Sequence, residues 1–234
     1  IIDTKTGRAC HYELLLRIQG DNGEIILPGA FIRQAERIGV IREIDRWVVI
    51  NAIKLLATVK EKGYSISCAI NLSAQTLNEH SFTQLIHEQL NTMNVESHLL
   101  MLEITESAAI SDINNAQRFI KTLSEIGCQF ALDDFGAGFS SFSYLKNLKV
   151  NYLTLDGSFI HNLPNEPRDL CIVEGMIKVA NVLNMKTIAE WSENQETLDM
   201  LTNLGVDQVQ GFHIGKPIPI DKFFEVLSLA EITG

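Results

Sequence analysis

The chain has 234 residues, of which 46% are hydrophobic, and a formal net charge of −10. This composition is enough for one large domain, or two small ones, with a substantial buried core. The acidic excess argues against a DNA or RNA partner, which requires a basic surface, and no apolar run approaches the ~18 residues of a membrane-spanning helix. We therefore expect a fragment that does not insert into a membrane.

The first residues of the chain and its cysteines bear on what kind of protein it comes from and in which compartment. It begins with "IIDTKTGRAC" and no methionine, so we interpret residues 1–234 as a single domain cut from a larger multidomain protein. Four cysteines are scattered without a C-x-x-C pair, at positions 10, 68, 128 and 171. Buried free thiols in a reducing cytoplasm are the favoured interpretation, ahead of disulfides or a zinc site. Membrane anchoring is left open for the full-length protein.

Taken in order along the chain, short β-prone runs alternate with longer helical patterns. The predicted strands cover residues 10–18, 65–72, 99–105, 128–134, 150–156, 186–190 and 207–211. The predicted helices cover residues 29–39, 41–63, 81–93, 113–127, 140–147, 169–184 and 194–205. Most of the strands are almost continuously apolar, which is typical of strands covered on both faces.

The order of the elements predicts the fold class. Repeated βα units without a long linker indicate a parallel sheet. Seven or eight units in this length fit an α/β fold of the TIM-like (β/α)₈ barrel type. An open Rossmann sheet is less consistent with the sequence, because no glycine fingerprint follows an early strand.

Polar residues recur where the predicted strands end. In a parallel barrel these ends meet at one rim, where active sites are built. The residues concerned are Glu13, Asn71, Glu103, Asp133, Asp134, Glu190 and Gln210. Five carboxylates placed together would repel one another and raise each other's pKa values, unless a cation is present. Oxygen ligands without cysteine favour Mg²⁺, Mn²⁺ or Ca²⁺, and Asp133 with Asp134 could serve two ions suited to attack on a phosphodiester.

Local alternatives stay open at this point. A single acidic residue after a strand is usually a helix N-cap or a solvated turn, and Asn71 could cap the helix that follows it. The loop "DDFGAGFSS" (133–141) is either an ordinary turn or a mobile segment that responds to ligand or metal. Glu106 is either an exposed turn carboxylate or the anchor of that loop.

Other barrel chemistries find little support. The six histidines are dispersed, and none pairs with a serine or cysteine in a nucleophile motif. A Schiff-base aldolase needs a lysine at a strand end, and the predicted strand ends offer none.

Seven sequence blocks resemble the signature blocks of the bacterial EAL domain. They are "ELLLR" (13–17), "INLS" (70–73), "LEITES" (102–107), "DDFGAGFSS" (133–141), "LDGSF" (155–159), "AEWSE" (189–193) and "QGFHIGKP" (210–217). The resemblance covers nearly the whole chain in order. It implies a TIM-like barrel with one antiparallel strand, and a first strand that begins before residue 1. It also implies a cyclic di-GMP phosphodiesterase that forms linear pGpG with two Mg²⁺ or Mn²⁺ ions, with Ca²⁺ inhibitory.

The resemblance further implies a homodimer, an upstream GGDEF or sensor domain, and a role for each matching residue. Asp134 would also orient the attacking water, and Glu106 would anchor the loop after it. Arg17 and Asp156 would contact the substrate. The implied metal ligands are Glu13, Asn71, Glu103, Asp133, Asp134 and Glu190. The implied catalytic set is Glu13, Asp134, Glu190 and Gln210, with the residue at position 154.

Position 154 departs from the family pattern. The family's fifth block reads approximately D-x-L-K-I-D, and the chain has Asn151, Thr154 and Asp156 in that frame. Threonine is short, neutral and a poor base, so it cannot take over a lysine's role. Trp191 is a second departure, because it follows Glu190 at a position where many members of the family have a smaller residue. The sequence therefore supports a phosphodiesterase slowed by Thr154, with a catalytically impaired cyclic di-GMP receptor as the alternative.

Overall fold

The computed structural model describes residues 1–137 and 143–232, and side chains as far as residue 227. The strands are β1 (Ile2–Asp3), β2 (His11–Glu13), β3 (Ile18–Gln19), β4 (Ile25–Ile26), β5 (Ser67–Leu72), β6 (Leu100–Thr105), β7 (Gln129–Phe135), β8 (Tyr152–Leu155), β9 (Lys186–Ala189) and β10 (Gln208–Val209). The helices are α1 (Pro28–Ile38), α2 (Ile41–Glu61), α3 (His80–Thr92), α4 (Glu106–Ser111), α5 (Ile113–Glu125), α6 (Gly157–Ile160), α7 (Pro167–Val182), α8 (Gln195–Leu204) and α9 (Ile220–Ile232).

Eight of these strands form one curved sheet in the order β1-β10-β9-β8-β7-β6-β5-β2. Every neighbouring pair is parallel except β1 with β10, which is antiparallel. The two outer strands meet through a bridge between Ile2 and Ala9 and a bond from the Cys10 amide to the Ile1 carbonyl oxygen of 2.9 Å. The TIM-like barrel with one antiparallel strand is therefore confirmed.

Alternation along the strands separates two apolar layers. The small inner cluster, which fills the barrel, consists of Ala69, Met101, Ala131, Tyr152 and Ile188. The residues next to these in each strand, such as Leu102, Leu132 and Leu153, join the large cluster that packs beneath the helices. Because side chains in a strand point to opposite faces in turn, both faces of the sheet are buried. This explains the nearly continuous apolar runs in the sequence.

The first predicted strand is too long. The structure ends β2 at Glu13, and the Leu14 amide makes the last sheet bond, to the Ala69 carbonyl oxygen at 2.8 Å. The chain then leaves the barrel, so that Leu15 is 39% exposed and Ile18 begins the hairpin of β3 and β4. An apolar run alone predicted a strand here, but only His11–Glu13 pair with a strand of the barrel, and Ile18 pairs instead within the hairpin.

Other predictions are confirmed in part. The long helices and the central strands appear near their predicted bounds, whereas β1, β4, α4, α6 and α9 were not predicted. Within the predicted helix 140–147, residues 140–142 lie outside the described residues, and Leu145–Asn147 forms one turn of 3₁₀ helix. All four cysteines are free, and Cys68 and Cys128 are buried as predicted, whereas Cys10 is half-buried and Cys171 is exposed, so the prediction of burial is wrong for Cys171 and only partly met by Cys10. Among the described helices, none is both long and apolar enough to span a bilayer.

Candidate functional site

The polar residues predicted from the strand ends form a second inward-facing layer above the inner apolar cluster. On each of the five central strands, one polar residue lies two positions beyond a residue of that cluster, so alternation directs both to the barrel interior. On the five central strands, the upper layer consists of Asn71, Glu103, Asp133, Thr154 and Glu190. The C-terminal ends of parallel strands share one rim, so these side chains line a common bowl.

Glu13 is held from two sides of this bowl. Its Oε1 accepts a hydrogen bond of 2.7 Å from Asn71 Nδ2, and its Oε2 accepts one of 2.6 Å from Gln210 Nε2. Glu13 and Gln210 are 197 positions apart in the chain, and closure of the barrel brings them into contact. The alternative that Asn71 caps the next helix is wrong, because its amide donates to Glu13 and the next helical turn begins at Thr76.

A β-bulge places both aspartates of β7 at the rim. The pairing of β7 with β8 shifts register between Leu132 and Phe135, so that Asp133 and Asp134 together oppose the single residue Thr154. Asp134 takes a left-handed backbone conformation with φ of 54°. A bulge of this kind interrupts the alternation and re-aims a side chain. In a regular strand, one of the two adjacent aspartates would point away from the bowl.

The bowl is strongly acidic and partly shielded from water. Burial, followed by the charges of Glu13, Asp133 and Glu190, raises the pKa of Glu103 well above its usual range. Burial first and the charge of Asp134 next raise the pKa of Asp133 to about 7. The pKa of Glu190 is raised to about 8, by burial and then by the charge of Asp133.

This donor set fits divalent cations. Oxygen atoms of Asp133, Asp134 and Glu190 lie within 4.8 Å of one another. They are hard carboxylate ligands without a nearby thiolate, which is the chemistry of Mg²⁺ and Mn²⁺ sites. A cation among them would offset both the burial and the mutual repulsion that raise the pKa values of these carboxyls.

Glu106 contacts both flanks of the loop that follows the aspartates. It is the first residue of α4, which begins after the N-cap Thr105, and it is 4% exposed. Its Oε2 accepts a bond of 3.1 Å from the Gly136 amide, and its Oε1 accepts one from the Tyr144 hydroxyl. The exposed-turn alternative for Glu106 is therefore wrong. Residues 138–141 of the loop lie outside the described residues, and the sequence offered no signal for Tyr144.

The two residues predicted to contact substrate occupy different settings. Asp156 is the N-cap of α6, and its Oδ1 accepts a bond of 2.8 Å from the Ser158 amide. Its charge contributes to the raised pKa values of Asp133 and Asp134, so it lies near the bowl. Arg17 follows β2, and its Nη1 donates to the Leu16 carbonyl oxygen at 2.7 Å.

A model of the EAL domain matches residues 1–217 of this chain. The chain belongs to the EAL domain family. It is 36% identical over 222 residues to cyclic di-GMP phosphodiesterase PdeF of Escherichia coli, a match covering 94% of the chain and 30% of PdeF. It is 37% identical over 213 residues to cyclic di-GMP phosphodiesterase PdeB of Shewanella oneidensis, covering 91% of the chain and 25% of PdeB. The chain thus spans less than a third of the length of these relatives.

A solved structure supports the same assignment. The PaMucR phosphodiesterase in complex with c-di-GMP superimposes on the chain with a TM-score of 0.85 and 33% sequence identity. The superposition covers 90% of this chain and 86% of the PaMucR chain. The family predicted from the sequence blocks is therefore confirmed.

Within this EAL domain, Thr154 occupies an unusual position. It lies in the upper inward layer, opposite the bulge of Asp133 and Asp134, and is 3% exposed. Its Oγ1 is buried and has no hydrogen-bond partner among the described residues. A buried hydroxyl normally finds a partner. Thr154 therefore presents neither a charge nor an accessible hydroxyl to a ligand in the bowl.

Proposed function

We propose that this EAL domain binds cyclic di-GMP and hydrolyses one of its phosphodiester bonds to give linear pGpG, with Mg²⁺ or Mn²⁺ as cofactor. The observation that carries the proposal is the upper inward layer, in which a bulge adds a second aspartate to a ring of buried and half-buried carboxylates. The relatives PdeF and PdeB are cyclic di-GMP phosphodiesterases by name, and PaMucR holds c-di-GMP in its solved structure.

The residues that would hold the metal ions are those of the acidic bowl. Asp133, Asp134 and Glu190 would form the central ligand group, because their oxygens are already close together. The remaining ligands would be Glu13, Asn71 and Glu103. When bound, two divalent ions would polarise the phosphodiester and make an adjacent water more acidic.

The chain's own residues position the reactants. Asn71 and Gln210 fix both oxygens of Glu13, so this carboxylate needs little reorganisation when a ligand arrives. Asp134, turned by the bulge, would accept a hydrogen bond from the attacking water and orient it in line with the scissile bond. Attack of this water on phosphorus would break the bond to the ribose O3′. The water would release one proton to solvent and O3′ would leave as a hydroxyl by taking up one, so the net change is the addition of one water.

Residues around the acidic bowl would contact the substrate and hold the loop that follows β7. Arg17 would contact a phosphate or guanine of the ligand, and Asp156 would contact the ligand beside α6. Glu106 would hold the loop after β7 through its bonds to Gly136 and Tyr144. Because the chain spans 30% of PdeF and 25% of PdeB, a homodimer and an upstream GGDEF or sensor domain remain parts of this proposal.

A second candidate function is a cyclic di-GMP receptor that hydrolyses its ligand very slowly or not at all. The observation in its favour is Thr154, whose buried hydroxyl has no hydrogen-bond partner in the part of the chain that the structure describes, at a position where the family pattern has lysine. Loss of one preorganised electrostatic group typically costs ~10²–10³ in rate. We favour the enzyme, because every implied metal ligand is retained.

The deciding experiment measures hydrolysis and binding on the same preparation. Formation of pGpG is followed by chromatography with Mg²⁺ or Mn²⁺, and cyclic di-GMP binding is measured by calorimetry in Ca²⁺. We expect metal-dependent pGpG formation that is abolished in Asp133→Asn and retained in Asp199→Asn, a matched control on the outer helix α8. Tight binding without pGpG above background would replace the enzyme with the receptor, and absence of binding would exclude both.

A further inference from the structure

Trp191 is exposed at the rim of the bowl. It follows Glu190 directly and is 56% exposed, although tryptophan is the largest apolar residue. Its backbone is left-handed, with φ of 56°, a conformation that bulky residues rarely adopt. Strained backbone of this kind costs of order 1–3 kcal/mol and is concentrated at functional sites.

One face of the indole rests on the start of α6. A Cβ built on Gly157 would lie 2.4 Å from both Cγ and Cδ1 of Trp191 and 2.8 Å from Cδ2. Nearly equal distances to three atoms of one ring place Gly157 above the plane of that ring. The absence of a side chain at Gly157 is therefore what allows the indole to lie flat on the backbone.

A second contact limits rotation of the ring. The imidazole of His161, one turn beyond Gly157, lies perpendicular to the indole with centroids 6.3 Å apart. His161 Nδ1 is itself 3.5 Å from an Oε2 of Glu193. The indole is thus seated on one side by Gly157 and His161. Since more than half of Trp191 remains exposed, its opposite face is open to solvent.

The Trp191 ring lies at the edge of the acidic bowl. Gly157 follows Asp156, whose charge acts on Glu190, and Trp191 follows Glu190 itself. The ring therefore spans the ends of β8 and β9 at the bowl's edge. If a bound dinucleotide placed its phosphates over the carboxylates, its bases would be free to extend toward this edge. Base stacking on an aromatic ring contributes affinity without requiring a positive charge. This matters here because Thr154 is neutral and adds no positive charge to the bowl.

We propose that Trp191 is a base-stacking residue, whose open face receives one purine of the bound dinucleotide. This inference rests on the proposed function, since it assumes that cyclic di-GMP occupies the bowl. It assigns to this chain's tryptophan a binding role additional to those of the metal ligands, Arg17 and Asp156. Because the contact with Gly157 already restricts the Trp191 side chain, less side-chain conformational entropy is lost when the purine binds.

The test uses substitutions that separate stacking from packing. Cyclic di-GMP affinity is measured by calorimetry in Ca²⁺ for Trp191→Leu, Trp191→Phe and Trp191→Gly. We expect Leu and Gly to weaken binding about 10- to 100-fold, and Phe to stay within about fivefold of wild type. Trp191→Gly relieves the left-handed backbone, so its melting temperature should not fall. Trp47→Leu, an equally exposed tryptophan on α2, is the matched control and should bind as wild type.

A spectroscopic readout tests contact directly. The chain has two tryptophans, so in Trp47→Phe all tryptophan emission comes from Trp191. We expect cyclic di-GMP to quench it with the same midpoint as the calorimetric titration. Wild-type affinity in Trp191→Leu, or unchanged emission while calorimetry reports binding, would overturn the stacking role and leave the proposed function intact. Absence of binding by the wild-type chain would instead reject the proposed function, and the stacking role with it.

Discussion

Replacing Thr154 by lysine should raise turnover of cyclic di-GMP at least tenfold. Position 154 lies opposite Asp133 and Asp134 at the bulge, in the same inward layer as Glu190. A lysine reaches several atoms beyond the threonine hydroxyl and would bring its ammonium among these carboxylates. The change thus adds a cation at the point where negative charge develops on the phosphate.

The magnitude follows from two opposing terms. An ammonium and an ionised carboxylate 4 Å apart attract by about 4 kcal/mol at an effective dielectric constant of about 20, and the ammonium would itself favour the ionised form of the neighbouring carboxyls. Thr154 is 3% exposed, and adding atoms at a well-packed position costs about 1–3 kcal/mol. The ammonium should therefore be accommodated. One preorganised group contributes up to ~10²–10³ in rate, and a tenfold gain requires only about 1.4 kcal/mol of that.

The assay compares initial rates of pGpG formation at saturating Mg²⁺ or Mn²⁺ for the wild type, Thr154→Lys and Thr154→Met. Methionine adds length without charge, so it should leave the rate near that of the wild type. Melting temperature and cyclic di-GMP affinity confirm that each variant is folded. If folded, ligand-binding Thr154→Lys turned over at the wild-type rate, a missing cation at position 154 could not be what limits catalysis.

Further predictions concern the metal site, its protonation, the loop and the rim. Asp133→Ala should abolish metal-dependent turnover, because it removes a central ligand; retained activity would remove our metal assignment. Since Asp133 and Glu190 have folded pKa values of about 7 and about 8 against ordinary values of 3.8 and 4.5, the metal-free chain should lose stability as pH rises through this interval, by up to roughly 1.4 kcal/mol per pH unit and carboxyl. Urea unfolding in EDTA at pH 5.5 and 8.5 measures this, and equal stabilities would contradict it. Glu106→Ala should lower turnover about tenfold or more, by releasing the loop, while cyclic di-GMP affinity in Ca²⁺ changes little; an unchanged rate would show that the loop needs no anchor. Gly157→Ala should displace the Trp191 ring and weaken cyclic di-GMP binding as Trp191→Leu does, which calorimetry would detect; full affinity would show that the seat is dispensable.

The raised pKa values also predict how the metal binds. Because a folded carboxyl with an elevated pKa holds its proton near neutrality, its contribution to stability is fully present below the unfolded pKa and is lost above the folded one. Protons and cations then compete for the same oxygens. Mg²⁺ should therefore stabilise the chain more at pH 8.5 than at pH 5.5.

Much of this protein follows from its sequence alone. The spacing of apolar residues is a local property, so it predicted most of the central strands and long helices. The same βα order predicted a barrel, and a barrel brings C-terminal strand ends to one rim. Polar residues at those ends therefore predicted a bowl that includes Glu13, Glu103 and Glu190.

Tertiary structure decided what depends on contacts between distant segments. The bulge opposite Thr154 exists only because β7 and β8 pair out of register, and no local pattern reports the register of two strands. The bonds from Asn71 and Gln210 to Glu13 require a closed barrel, as does the short strand β1, which two residues could not form alone. The left-handed turn that seats Trp191 on Gly157 likewise depends on where β9 ends beside α6. Residue types and their periodicity are written along the chain, whereas register, closure and backbone strain arise only when its parts pack together.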